Sequence, residues 1–302
     1  MGSRQGPSPQ VMGILNLTPD SFSDGGLFTT MDAAIRRACI MADEGADLID
    51  LGGESTRPGS KPVPLEEELR RVVPVVKALA KRVKLPLSID TSKAEVARQA
   101  LDAGATMIND VTALGDADMA QVVARAEAPI ILMHMRGDPR TMQCAPRYRD
   151  VMADVKQFLQ RAIRRAQEAG IAADRILIDP GLGFGKTVTH NLLLLQQLHE
   201  LSTLGKPIVI GPSRKSFIGR VLDAKVDERL SGTLACMAYA AQHGAHVIRV
   251  HDVKATVQFL TMWDAIDKGK SQNAKGKTTR QKSKFSLLNC IFAFCLLPFA
   301  LL

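Results

Sequence analysis

The sequence predicts an α/β protein built as one (β/α)8 TIM barrel, a single domain, and three observations carry that expectation. Short, nearly all-apolar runs alternate with longer amphipathic stretches across residues 10–266, and eight such runs can be counted. Eight strand-helix units over about 250 residues is the arithmetic of a barrel. The polar residues that close the runs are chemically versatile ones, and the C-terminal ends of the strands are where barrel active sites lie. A doubly wound open sheet is the alternative that the pattern alone leaves open.

The predicted strands are VMGIL (11–15), DLIDLG (47–52), PLSID (86–90), TMIND (106–110), PIILMH (129–134), RILID (175–179), PIVIG (207–211) and AHVIRV (245–250). They are apolar on both faces, as a parallel sheet covered by helices requires. Helices are predicted between them, for example over 31–46 and 65–83, where apolar positions recur every three or four residues.

Charge divides the 302-residue chain unevenly. The formal net charge is +8. Residues 267–284 hold seven Lys or Arg and one Asp, so six of those charges sit in one short stretch and the body is nearly neutral. Eighteen uncharged residues, FSLLNCIFAFCLLPFALL (285–302), follow. The expected organisation is an N-terminal lead (1–10), a barrel (11–266), a basic linker (267–284) and an apolar tail (285–302). A near-neutral body argues against nucleic acid as a partner. Five cysteines with no CxxC spacing imply reduced thiols and a cytoplasmic setting. The first ten residues lack a signal-peptide core, and Gly6 breaks the myristoylation pattern.

At the predicted strand ends stand Asn16, the segment GGESTRPGS (52–60), Asp90, Asn109 with Asp110, Asp179, the segment GPSRKS (211–216), and Arg249-Val250-His251. Any one of these could be a turn or a helix cap. Seven strands ending this way point to a site. Arg57, Lys215, Arg249 and His251 form a cationic side suited to an anion. Asp90, Asn109 and Asp179 offer acceptors to a flat heterocycle with paired donors, or to an internal cation, since a buried lone carboxylate is costly. Familiar signatures fail. PGLGFGKT (180–187) has Pro180 where a P-loop needs its first Gly, and it also misses the dinucleotide spacing. Lys215 replaces the second Gly of a nucleophile elbow at Ser213. His243 and His246 precede strand eight, away from the rim, and there is no HExxH.

The runs MGILNLTPDSFSDGG, DLGGESTRPGS, SIDTSKAEVA, INDVTAL, LMHMRGDPRTMQ, ILIDPGLGFGKT, GPSRKSFIG and RVHDVKATV resemble the dihydropteroate synthase family, in that family's order, over residues 11 to about 266. The resemblance implies a transferase of folate biosynthesis. It would join (7,8-dihydropterin-6-yl)methyl diphosphate to 4-aminobenzoate, with Mg2+ as cofactor and a homodimer as the assembly. It assigns Asn16 to the metal, and Asp90, Asn109, Asp179 and Lys215 to the pterin. It assigns Arg57, Arg249, Val250 and His251, with Thr56, to the pterin diphosphate. Phe22, Thr56, Pro58, Phe184 and Ser213 would enclose 4-aminobenzoate and the sulfonamides that mimic it. Lys215, Asp90 and Asp179 are the expected catalytic residues.

Two rival readings remain at this stage. A pterin-dependent methyltransferase on the same barrel accounts for Asp90, Asn109 and Asp179 but gives no reason for the SRK and RVH cations. A non-catalytic barrel tethered to a membrane accounts for the tail but not for an intact rim. The tail itself reads as a membrane anchor, a docking segment, an extra packed element or a foreign extension. Its eighteen residues reach only the lower bound for a span, and Asn289 and Pro298 weaken it.

Overall fold

The structure is a computed structural model that describes residues 8–18, 27–56 and 59–272, with side chains described for all of these except 27–30 and 267–272. The eight apolar runs become eight strands: β1 (Gln10–Asn16), β2 (Leu48–Gly52), β3 (Leu87–Asp90), β4 (Met107–Asp110), β5 (Ile130–Met133), β6 (Ile176–Asp179), β7 (Ile208–Ile210) and β8 (Ala245–Val250). They pair in parallel and in chain order, and β8 returns to β1 with Met12 opposite Arg249, so the sheet closes into a barrel. An open doubly wound sheet is excluded.

Six strands begin one residue later than the predicted runs do, and in three of them, β3, β5 and β7, the residue left outside is proline. Pro86, Pro129 and Pro207 have no N–H to give the ladder, but their carbonyls accept from Ile49, Ile108 and Ile178 at 3.0 Å each. Proline thus stands at the strand entrance, where only its acceptor is needed.

The helices are α1 (Leu27–Asp43), α2 (Leu65–Leu79), α3 (Ala94–Asp102), α4 (Met119–Arg125), α5 (Val151–Glu168), α6 (Val188–Gln196), α7 (Ser216–Leu222), α8 (Leu230–Gln242) and α9 (Val253–Gln272). Both α7 and α8 lie between β7 and β8. α1 stops at Asp43, short of the predicted 46, because Gly45 takes φ +95° and turns the chain into β2. α5 starts where the Asp150 carboxylate accepts from Met152 and Ala153 N–H at 2.9 and 3.0 Å. α9 runs six residues beyond Ile266 into the basic stretch, and the apolar tail lies outside the described residues. Among the described residues, no helix is long and apolar enough to cross a membrane.

Side chains that alternate along each strand divide the core in two. Met12, Leu48, Met107, Ile131, Leu177, Val209 and Val247 fill the barrel interior. Residues of the opposite parity, such as Ile49, Ile89, Ile108, Ile178 and Ile248, pack outward against helix residues including Val72, Val76, Leu79 and Leu159. The interior layer plugs the barrel, and whatever stands one step further along each strand forms the floor of the mouth.

Candidate active site

Counting two residues onward from the plug identifies that floor. Leu48 leads to Asp50, Met107 to Asn109, Leu177 to Asp179 and Val247 to Arg249. On β3 the sequence Ser88-Ile89-Asp90 puts Asp90 on the same parity. Register brings Asp90 beside Asn109 and opposite Gly52, and Asp179 opposite Met133. Asp50, Asp90, Asn109 and Asp179 are all buried. A charged layer at the top of an apolar plug is therefore a direct product of strand periodicity.

The internal cation is Arg249. Its Nε donates to Asp50 Oδ2 at 2.6 Å and its Nη2 to Asp90 Oδ2 at 2.7 Å. Asp50 Oδ2 also accepts from the Asn109 carboxamide at 3.0 Å. Arg249, expected among the rim cations, has two of its donors committed to carboxylates of the floor. Asp50 was absent from the predicted site, although a lone acid inside the apolar run LIDLG was the available signal. Among the described residues, Asp90 Oδ1, Asp50 Oδ1 and the neighbouring Ser88 Oγ are buried without a hydrogen-bond partner.

Burial pushes the Asp90 carboxyl up to about 7, against the pull of Arg249 and with the help of the Asp50 charge. A carboxyl raised this way favours the fold most below its unfolded pKa near 4, and that contribution disappears as pH rises through about 7. Asp90→Asn, which cannot titrate, should accordingly lose less stability relative to the wild type at pH 8 than at pH 5. Urea midpoints at the two pH values measure this, and a gap that widens with pH would contradict it.

Asp179 and Lys215 form the second group. Burial raises the Asp179 carboxyl, offset first by the Lys215 ammonium and by the Gly181 N–H that donates to Oδ1 at 2.7 Å. Burial lowers Lys215 to about 8, while Asp179 and Asp90 resist the change. The Lys215 ammonium donates to the Leu182 carbonyl and lies 4.5 Å from the centroid of the Phe184 ring, a cation–π contact.

Lys215 reaches this position because of a strained neighbour. Arg214 has φ +54°, unusual for a branched-chain or long side chain, and it is locked by a two-pronged pair to Asp252 at 2.9 and 2.6 Å. Beside it, Ser213 Oγ lies 2.9 Å from His251 Nδ1 and accepts the His251 N–H at 3.1 Å. The β7 and β8 loops are thereby joined, and Ser213, Lys215 and His251 are brought to one side of the mouth. Arg214 and Asp252 were not singled out from sequence.

Asn16 ends β1 opposite Gly52 and is half-buried, as is Thr56 in the next loop. Phe22, Arg57 and Pro58 lie outside the described residues. The Val250 side chain is fully buried in the outer shell with the helices, because its parity is opposite to that of Arg249, which leaves only its backbone at the mouth. Asp110 has the bland role, accepting from Thr112 and Leu114 N–H at 2.8 and 2.6 Å to shape the loop after β4.

Comparison with known proteins identifies the family and the fold. The pterin binding enzyme family matches residues 12–251. The Escherichia coli K12 dihydropteroate synthase is 50% identical over 257 residues, 85% of this chain and 91% of that protein. The Synechocystis dihydropteroate synthase is 49% identical over 263 residues, 86% of this chain and 91% of its own. Among solved structures, the Xanthomonas albilineans dihydropteroate synthase with 4-aminobenzoic acid has a TM-score of 0.82 and 52% identity, covering 86% of this chain and 93% of that one. The same organism's enzyme in complex with 7,8-dihydropteroate has a TM-score of 0.78 and 48% identity, covering 86% and 94%. A Yersinia pestis dihydropteroate synthase with a sulfonamide drug complex has a TM-score of 0.82 and 49% identity, covering 86% and 95%.

Proposed function

The chain belongs to the dihydropteroate synthase family, and from that premise we propose how its mouth joins (7,8-dihydropterin-6-yl)methyl diphosphate to 4-aminobenzoate, giving 7,8-dihydropteroate and diphosphate. The observation that carries the reading is the buried floor of Asp90, Asn109 and Asp179, in which Asp90 Oδ1 has no hydrogen-bond partner among the described residues. A buried acceptor of this kind calls for a donor. The 2-amino-4-oxo edge of a pterin brings several donors in one plane, and Lys215 supplies the opposite polarity for its carbonyl and ring nitrogen.

With the pterin seated, its methylene bond to oxygen breaks and the electron pair leaves with diphosphate. The carboxylates of Asp90 and Asp179 lie close to the delocalised cation that remains and stabilise it electrostatically. The 4-aminobenzoate amine then forms the new C–N bond, and its proton passes to the departing diphosphate or to water. Thr56, Phe184 and Ser213 border the second substrate, and sulfonamides compete with it there. No protein nucleophile is needed. His251 and the loop carrying Thr56 face the departing diphosphate.

Mg2+ fits the donors available. Among the described residues, no group of three or more His, Cys, Asp or Glu side chains could hold a metal. The half-buried Asn16 offers one hard oxygen at the end of β1, which suits an ion that keeps most of its shell for water and substrate phosphates. Held there, it would supply positive charge to offset that of the leaving group. A homodimer accords with exposed Val221, Leu222, Val226 and Tyr239 on and between α7 and α8. The free thiols of Cys39, Cys144 and Cys236 suit a reducing cytoplasm.

Formation of 7,8-dihydropteroate with release of diphosphate is expected when both substrates are present, to stop on chelation of Mg2+ by EDTA and to return when the ion is restored. No dihydropteroate or no diphosphate with both substrates and the metal would overturn the reading; a methyltransferase would give no release at all.

A further inference from the structure

The glycine-rich loop between β6 and α6 is not the phosphate cradle its composition suggests, because its outward groups are carbonyls that the protein itself occupies. Four consecutive ones are each taken by a different side chain. Leu182 O accepts from Lys215, Gly183 O from Gln143 at 2.5 Å, Phe184 O from Lys186 at 2.9 Å and Gly185 O from the Tyr148 hydroxyl at 2.8 Å. Gly181, Gly183 and Gly185 all have positive φ, and a Cβ at Gly185 would meet the Arg136 carbonyl at 2.5 Å. The loop is drawn tight against its surroundings.

Lys186 is the anomaly in this arrangement. It is only 3% exposed, and among the described residues no carboxylate lies within ion-pair distance of it, although buried lysines are ordinarily paired. Its amine instead lies 2.9 Å from Nδ1 of the buried His134 and donates to the Phe184 carbonyl. Burial holds the His134 ring neutral, its pKa lowered to about 2, so the amine and the ring nitrogen meet as a hydrogen-bonded pair and not as two repelling cations. His134 is fixed in turn by an edge-on contact with Phe158 at 4.8 Å between ring centroids. A methionine of similar length would fill this volume without the cost of burying an amine. What only the amine supplies is the bridge from the barrel wall to the backbone of Phe184.

We propose that Lys186 is a positioning residue, tying the Phe184 backbone to His134 so that the Phe184 ring forms a fixed wall of the 4-aminobenzoate site and the surface on which Lys215 rests. The proposal rests on the functional reading above and deepens it by adding a residue that touches neither substrate.

The test is steady-state kinetics of Lys186→Met, Phe184→Ala and the double variant, with Tm measured for each. Lys186→Met is expected to raise KM for 4-aminobenzoate about tenfold and to leave KM for the pterin diphosphate within about twofold. In the Phe184→Ala background it should add less than about twofold. Equal rises in both KM values, a fall in Tm with both KM values unchanged, or effects that multiply in the double variant would each overturn the proposal. Should Lys186→Met not fold, Tyr148→Phe removes a single clamp on the neighbouring carbonyl and should shift KM for 4-aminobenzoate alone, by about two- to threefold; no shift, or an equal shift in both, overturns it as well. Wild-type enzyme that releases no diphosphate would instead defeat the functional reading, before any variant is compared.

Discussion

Lys215→Met is expected to lower kcat/KM about 100- to 1000-fold, the usual loss when one preorganised donor is removed from a reacting centre, while the barrel keeps its full thermal stability. The two halves of this result have one cause. Burial has already pulled the Lys215 pKa down to about 8, so the folded state holds the charged amine at a disadvantage that methionine does not share. A lowered lysine pKa means a stabilising contribution present above the unfolded pKa near 10.5 and lost as pH falls through about 8. At pH 7 the charge is therefore a burden on the fold, and removing it should leave Tm unchanged or raise it. The wild type carries that burden because, in the proposed reaction, Lys215 offsets the buried Asp179 carboxylate and faces the acceptor edge of the pterin. Steady-state rates and a thermal melt decide the matter. Efficiency within a few-fold of wild type would remove Lys215 from the chemistry.

How much of this was legible in the sequence follows from which physical rule governs each feature. Alternation of apolar runs with amphipathic stretches reports burial directly, so all eight strands were found. Their ends shifted where Pro86, Pro129 and Pro207 could contribute only a carbonyl. The doubled helix between β7 and β8 left no such signature, since α7 is a single short element whose start depends on the turn at Arg214.

The site was legible as a set of residue types, and less so as a set of partners. Asp90, Asn109, Asp179 and Lys215, which the structure brings to one mouth, stood out because polar residues closing apolar strands are conspicuous. Arg249 was singled out without its carboxylate partners, because the sum of charges on a rim does not say which of them meet. Asp50 went unnoticed one step below Gly52, yet counting by two from Leu48 puts it on the same face as the other floor residues. The same count would have turned Val250 away from the mouth. Arg214, Asp252 and Lys186 act through other side chains and pair across 38 or 52 residues, a separation that no local pattern encodes.

The pairing of Arg249 makes it the residue whose loss should cost the fold most. Arg249→Met fills a similar volume but leaves Asp50 and Asp90 buried without their cation, and breaking a buried pair from one side typically costs about 3–5 kcal/mol. The pH dependence separates this from a simple packing defect. Asp90 is already raised to about 7 with Arg249 beside it, and the guanidinium is the largest influence holding it down. Without it the Asp90 pKa moves higher, so the variant recovers part of its stability by protonation as pH falls, whereas a packing defect would be indifferent to pH. Urea unfolding at pH 8 and pH 5.5 should show a deficit that shrinks at the lower value. Asp50 Oδ2 meanwhile loses one of its two donors and keeps the Asn109 carboxamide, which no longer has a fixed orientation imposed by the ion pair. Activity should therefore fall even at pH values where the fold has recovered, because the floor proposed to meet the pterin has lost its order. A deficit that is constant between pH 5.5 and 8, or full activity in the refolded variant, would show that Arg249 is a spectator to the carboxylates it touches.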